Sequence, residues 1–114
     1  GSLISVYSLE EICVEKFLAL TDKARNEPRD LFDFWYLVSN NHVDLTMLWP
    51  EVKAKLDFRN RTTDDLGAVY ADRKEARLKK LWNNRLGTQM AELPQFDDVF
   101  RIVRRAVKGA GWLD

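Results

Sequence analysis

Cysteine, histidine, proline and glycine are all scarce in this 114-residue chain, at one, one, three and five residues. With Cys13 alone, no intramolecular disulfide can form, which suits a reducing cytoplasm, the expected location. Cys13 falls on an apolar stripe, and His42, in a polar turn, is far from it along the chain, so a Cys–His catalytic pair is not expected. There is no His/Cys cluster for zinc, and no glycine-rich phosphate loop is present. No apolar run reaches the roughly 18 residues of a membrane-spanning helix, so no membrane contact is expected. Net charge is lacking too: eighteen basic and eighteen acidic residues cancel. Bulk charge therefore points to no nucleic-acid or membrane partner, although residues 1–60 carry seven basic and ten acidic side chains and residues 61–114 carry eleven and eight.

What the chain has in quantity is helical patterning. Its length suits one domain burying roughly 60–68% of its unfolded surface. Ser8 and Glu11 form a Ser-x-x-Glu helix start, and the first helix should run to about Thr21. Pro28 suits the first turn of a second helix ending near Ser39-Asn40-Asn41. Asp44 caps a third helix, about 45–57, which Pro50 should split in two. Thr63 should cap a long fourth helix over about 64–85, closed by Gly87. Leu93-Pro94 leads into a fifth, about 95–108, stopped by Gly109-Ala110-Gly111. Leu3 to Tyr7 (LISVY) reads as a β-prone stub from a preceding core. The expected fold is all-α, a compact bundle of about five helices. Gly1-Ser2 reads as a cloning scar and residues 3–114 as a single C-terminal helical domain of a longer protein.

The candidate chemistry lies in the first two helices. With Leu9 at zero and about 100° per residue, Leu9, Ile12, Cys13, Phe17 and Leu20 fall on one stripe, with Lys16 near its centre. A buried ammonium without an anion costs several kcal/mol. Lys16 must snorkel to water or meet acids, and Asp30 and Asp33 stand three apart on the next helix. Consecutive helices joined by a short turn pack antiparallel, which brings Lys16 within reach of them. On the second helix the acids share a flank with Phe34 and Leu37, and Phe32, Trp35 and Tyr36 should bury most other sides. The plain alternative makes Asp30 a helix-start acid and Asp33 the i,i+4 partner of Arg29.

The strings SLEEICVEKFLAL and EPRDLFDFWYL resemble the third and fourth motifs of the abortive-infection nucleotidyltransferase toxins of the AbiEii/AbiGii type. Glu11, Lys16, Ala19 and Leu20 match the first, and Arg29, Asp30, Asp33 and Trp35 the second. The resemblance implies catalytic roles for Lys16, Asp33 and Asp30, with Lys16 and Arg29 as nucleotide contacts. Asp33 is favoured for orienting Lys16 or the attacking group. An arginine often follows the lysine in such proteins, and Lys23 and Arg25 stand near that place. The resemblance also implies a Gly-Ser turn and a metal-binding Asp-x-Asp pair upstream, in an N-terminal core absent from this sequence. The intact parent would use Mg²⁺ and a nucleoside triphosphate. No metal site or bound cofactor is expected in this chain, which should be inactive by itself.

A separate signal is the basic stripe of the fifth helix, Arg101, Arg104, Arg105 and Lys108, opposite Phe96, Val99, Phe100, Ile102, Val103, Ala106 and Val107. It is either a solvated face or a contact for a phosphate backbone, with tRNA or another RNA as acceptor. The fourth helix is basic as well, through Arg73, Lys74, Arg77, Lys79, Lys80 and Arg85. Two functions follow: the helical part of a toxin that transfers a nucleotide to an acceptor, or a non-enzymatic module binding RNA or protein through these basic helices.

Overall fold

In the computed structural model, residues 8–113 are described, and all of their regular structure is helical. The expected strand at Leu3–Tyr7 lies outside the described residues. Helix α1 (Leu9–Leu20) begins where the Ser8 hydroxyl accepts the Glu11 N–H at 3.1 Å. Its buried side is Cys13, Val14, Phe17, Leu18 and Leu20, while Leu9 is 45% exposed. The buried face is thus turned away from the expected stripe, and Lys16 sits at its border rather than its centre. Val14 and Leu18 turn inward because α1 is covered by α2 (Pro28–Ser39), α3 (Leu45–Phe58) and the 3₁₀ segment Thr63–Tyr70.

Helix α2 has Pro28 in its first turn, and the Glu27 carboxylate accepts the Arg29 N–H. It packs against α1, α4 (Asp72–Leu86) and α5 (Phe96–Gly109). Leu31, Phe34 and Leu37 are buried and Phe32 and Trp35 half-buried, but Tyr36 is exposed. The cover on α2 is therefore less complete than the aromatic sequence suggests.

Two boundaries differ from the sequence expectation. Helix α3 runs unbroken through Pro50. A proline at this position costs the Thr46 carbonyl its partner, but Thr46 and Pro50 are both exposed, so water can take the bond. The single long fourth helix is two elements: the 3₁₀ segment ends at Ala71, whose extended backbone (φ −62°, ψ 138°) turns the chain before α4 starts. Its N-cap is Thr62, one residue before the expected Thr63.

The core joins all elements. Phe17 stacks at a tilt on Phe34 (centroids 5.5 Å) and edge-on against Trp112 (4.9 Å). The two fully buried tryptophans have partners, Trp82 Nε1–H donating to the Pro94 carbonyl and Trp112 Nε1–H to the Leu45 carbonyl, whereas the buried Nε1–H of half-buried Trp35 has none. Gly111, at φ 83°, makes the turn that returns Trp112 to the core. Cys13 is fully buried, and burial, with Glu10 nearby, pushes its thiol up to about 12, so it is an unreactive core residue.

Candidate functional site

The α1–α2 corner assembles charge where the apolar faces of the two helices close. Asp30 is buried by its place in the first turn of α2, at 2% exposure. Lys16 arrives from the penultimate turn of α1. Its Nζ lies 3.0 Å from Asp33 Oδ2 and 3.6 Å from Asp30 Oδ1. Each acid has a second cation. The Arg25 guanidinium grips Asp30 with two bonds, Nε to Oδ2 at 2.7 Å and Nη2 to Oδ1 at 3.2 Å. Arg29 Nε donates to Asp33 Oδ1 at 2.8 Å, and its Nη1 donates to Gln89 Oε1 in the turn after α4. Such two-pronged guanidinium contacts fix orientation as well as supply energy. The cluster therefore holds three cations against two acids and keeps one positive charge in excess.

The site residues expected from α1 and α2, Lys16, Asp30, Asp33 and Arg29, thus stand in one network. Arg25, which the sequence suggested only as one of two choices with Lys23, completes it; Lys23 is exposed and points elsewhere, lining a neighbouring cavity. The four basic residues of α5 do not enter it. Arg101 pairs with Asp98 at 3.0 Å, Arg104 lies over the Tyr70 ring, and Arg105 and Lys108 are exposed.

One supporting residue was not foreseen. Lys74, 6% exposed, sends its ammonium from α4 to the carbonyls of Asp22 (2.8 Å) and Arg25. It ties down the turn that carries Arg25. Burial pushes its pKa down, only partly offset by Asp22 and Asp30. The sequence does hold a sign of this. Lys74, Leu78, Trp82 and Leu86 recur every four residues and all are buried, so the lysine occupies an apolar position of its helix.

A family model described as the nucleotidyl transferase AbiEii toxin, of type IV toxin–antitoxin systems, matches residues 1–102. The chain belongs to this family. No curated protein and no solved structure matches it. Membership makes the chain part of a nucleotidyltransferase toxin lineage. The match also spans both helices of the Lys16 network.

Nucleotidyltransferases of this kind typically use a nucleoside triphosphate and a divalent metal, and the α1–α2 corner does not suit that metal. Asp30 is matched by Arg25 and Lys16, and Asp33 by Lys16 and Arg29. Among the described residues no group of three His, Cys, Asp or Glu side chains converges anywhere. A corner with excess positive charge favours an anion over a cation. No described helix is long and apolar enough to cross a membrane.

Proposed function

We propose that this chain is the C-terminal helical part of a nucleotidyltransferase toxin whose complete form transfers a nucleotide to an acceptor, with an RNA such as tRNA as that acceptor. The observation that carries the reading is the Lys16 ammonium, held 3.0 Å from Asp33 and 3.6 Å from Asp30 while still 28% exposed. An ammonium aimed in advance offsets negative charge growing on phosphate oxygens without having to reorganise. Asp33 orients Lys16, and Arg29 keeps Asp33 in place. Asp30, gripped by Arg25, supports the same amine from the buried side. The spare positive charge of the corner is then available to the nucleotide phosphates. No Asp-x-Asp pair occurs in the 114 residues. In this reading the metal-binding carboxylates and the Gly-Ser turn belong to another part of the parent protein, where a bound divalent metal would polarise the phosphates.

The test is made in the complete parent. Lys16→Ala and Asp33→Ala should each reduce nucleotide transfer and toxicity by at least about a hundredfold, the scale of losing one preorganised charge-stabilising group. Both proteins should remain folded, because Lys16 and Asp33 are each at least a quarter exposed. Unchanged transfer in both variants removes these residues from the chemistry.

The exposed stripe of α5 supports a role in RNA contact. Arg105 and Lys108 make no ion pair among the described residues. A non-enzymatic module using this face remains distinguishable: Arg104→Glu with Arg105→Glu would abolish RNA binding by the isolated chain and flatten its salt dependence.

A further inference from the structure

The turn between α1 and α2, the 3₁₀ segment and the start of α4 enclose a cavity of about 380 Å³, within the range of small-molecule sites. Its walls differ in charge. Lys23, Arg73 and Arg77 lie on one set of surfaces, all exposed, and none has an ion-pair partner among the described residues. Three unmatched cations around one concavity attract a phosphate. Asp64 and Asp65 lie on the 3₁₀ side. Asp65 is occupied, 3.6 Å from Arg61 and accepting the Thr62 N–H, whereas Asp64 is exposed and makes no ion pair. Asp64 is therefore an acceptor for a ligand N–H.

Between these walls the lining is small and apolar. Gly67, Ala68 and Ala71 contribute no bulk, and a Cβ added at Gly67 would meet no atom within 4 Å. This leaves room for a flat ring. Asn26 also lines the cavity, and its amide oxygen has no hydrogen-bond partner.

We propose that this cavity binds one nucleotide unit carrying an amino-bearing base, adenine, cytosine or guanine, with its phosphate against Lys23, Arg73 and Arg77, its ring over Gly67–Ala68–Ala71, and its exocyclic amine toward Asp64. The site is separate from Lys16 and independent of the transfer reading, since binding is a property of this chain alone. The unit comes either from a free mononucleotide or from a single-stranded RNA.

The experiment is a titration of the isotope-labelled 114-residue chain, followed through its backbone amide resonances. The probes are AMP, CMP, GMP, UMP, ribose 5-phosphate, inorganic phosphate and a short single-stranded oligoadenylate. Saturable shifts at Gly67, Ala68 and Ala71 with AMP, CMP or GMP, at least fivefold tighter than with UMP, are the expected result. Oligoadenylate binding at least tenfold tighter than AMP assigns the unit to RNA, and equal binding assigns it to the free nucleotide. Arg73→Glu with Arg77→Glu should weaken binding at least tenfold, and Ala71→Leu should do so by filling the floor. Arg73, Arg77 and Ala71 are exposed, and unshifted resonances elsewhere verify the fold. Asp64→Asn should erase the preference over UMP. The proposal is overturned if inorganic phosphate binds as well as AMP, if the shifts map to α5, if the Arg73/Arg77 variant binds normally, or if no probe saturates by 10 mM, about the limit of usefully specific binding.

Discussion

The α1–α2 corner and helix α5 both carry several cations, and the fold treats them in opposite ways. At the corner, charge is taken inward. Asp30 is 2% exposed, Lys74 is 6% exposed, and Lys16, Arg25 and Arg29 are held by named acids. In α5 the charge stays in water while Phe96, Val99, Phe100, Val103 and Val107 do the packing. Desolvated charge must be paired to be tolerated, and solvated charge need not be. Positional constraint on the corner cations thus follows from the acids that hold them, Asp30 itself being buried, which is why the corner is suited to hold an amine in one place while α5 leaves Arg105 and Lys108 free to move.

The sharpest way to break this comparison is Lys74→Met. Methionine keeps the stem's packing but leaves the Asp22 and Arg25 carbonyls without their charged donor. We expect a loss of about 2 kcal/mol in denaturant unfolding, the scale of a hydrogen bond to a charged group. The pH dependence should change as well. Burial depresses the folded pKa of Lys74 below its ordinary 10.5, with Asp22 and Asp30 only partly opposing. Between the folded and unfolded values the unfolded chain holds more protons, so stability rises with pH over that window. Lys74→Met should remove this alkaline rise. A variant as stable as the parent, with the rise intact, would show that the ammonium does not hold the turn.

Glu15 gives a smaller effect of related origin. Burial pushes its pKa up, but hydrogen bonds from Arg59 and Lys55 outweigh that and leave it below 4.5. A depressed carboxyl contributes stability above its unfolded pKa and loses it as pH falls through the folded value. The stability difference between parent and Glu15→Gln should therefore be full above the ordinary value of 4.5 and shrink as pH falls below it. Parallel curves across that range would mean that the α1–α3 bridge contributes nothing. Because Glu15 is 43% exposed, solvent screening keeps the difference small.

How far the sequence disclosed all this depended on distance along the chain. The pairing of Arg29 with Asp33 follows from helix spacing, and the approach of Lys16 follows from two helices and a short turn. The caps at Ser8 and Asp44 and the Pro28 start are equally local. The tie from Lys74 to Asp22 spans 52 residues, and no periodicity in one helix can say which turn lies above it. The break at Ala71 was hidden for another reason. It is marked by neither glycine nor proline, and alanine is the strongest helix former, so only tertiary packing announces it. The Lys16 stripe was misplaced because its phase was set by Leu9, an apolar residue that the fold leaves half in water.

The least effect is expected in α5, and it is the result that most sharpens the contrast. Arg105→Gln removes a charge that has no ion-pair partner among the described residues and sits on the exposed side. Stability should change by no more than about 0.5 kcal/mol, as for surface substitutions that touch no special feature. Arg104→Gln should cost slightly more, because its guanidinium lies 5.4 Å from the Tyr70 ring centre, a contact worth about 0.5–1 kcal/mol at an exposed site. If Arg105→Gln instead destabilises as much as Lys74→Met, the basic stripe is structural, and a folding requirement rather than an RNA partner explains those arginines. If it leaves folding unchanged while RNA binding weakens with a shallower salt slope, the stripe is held for its charge alone.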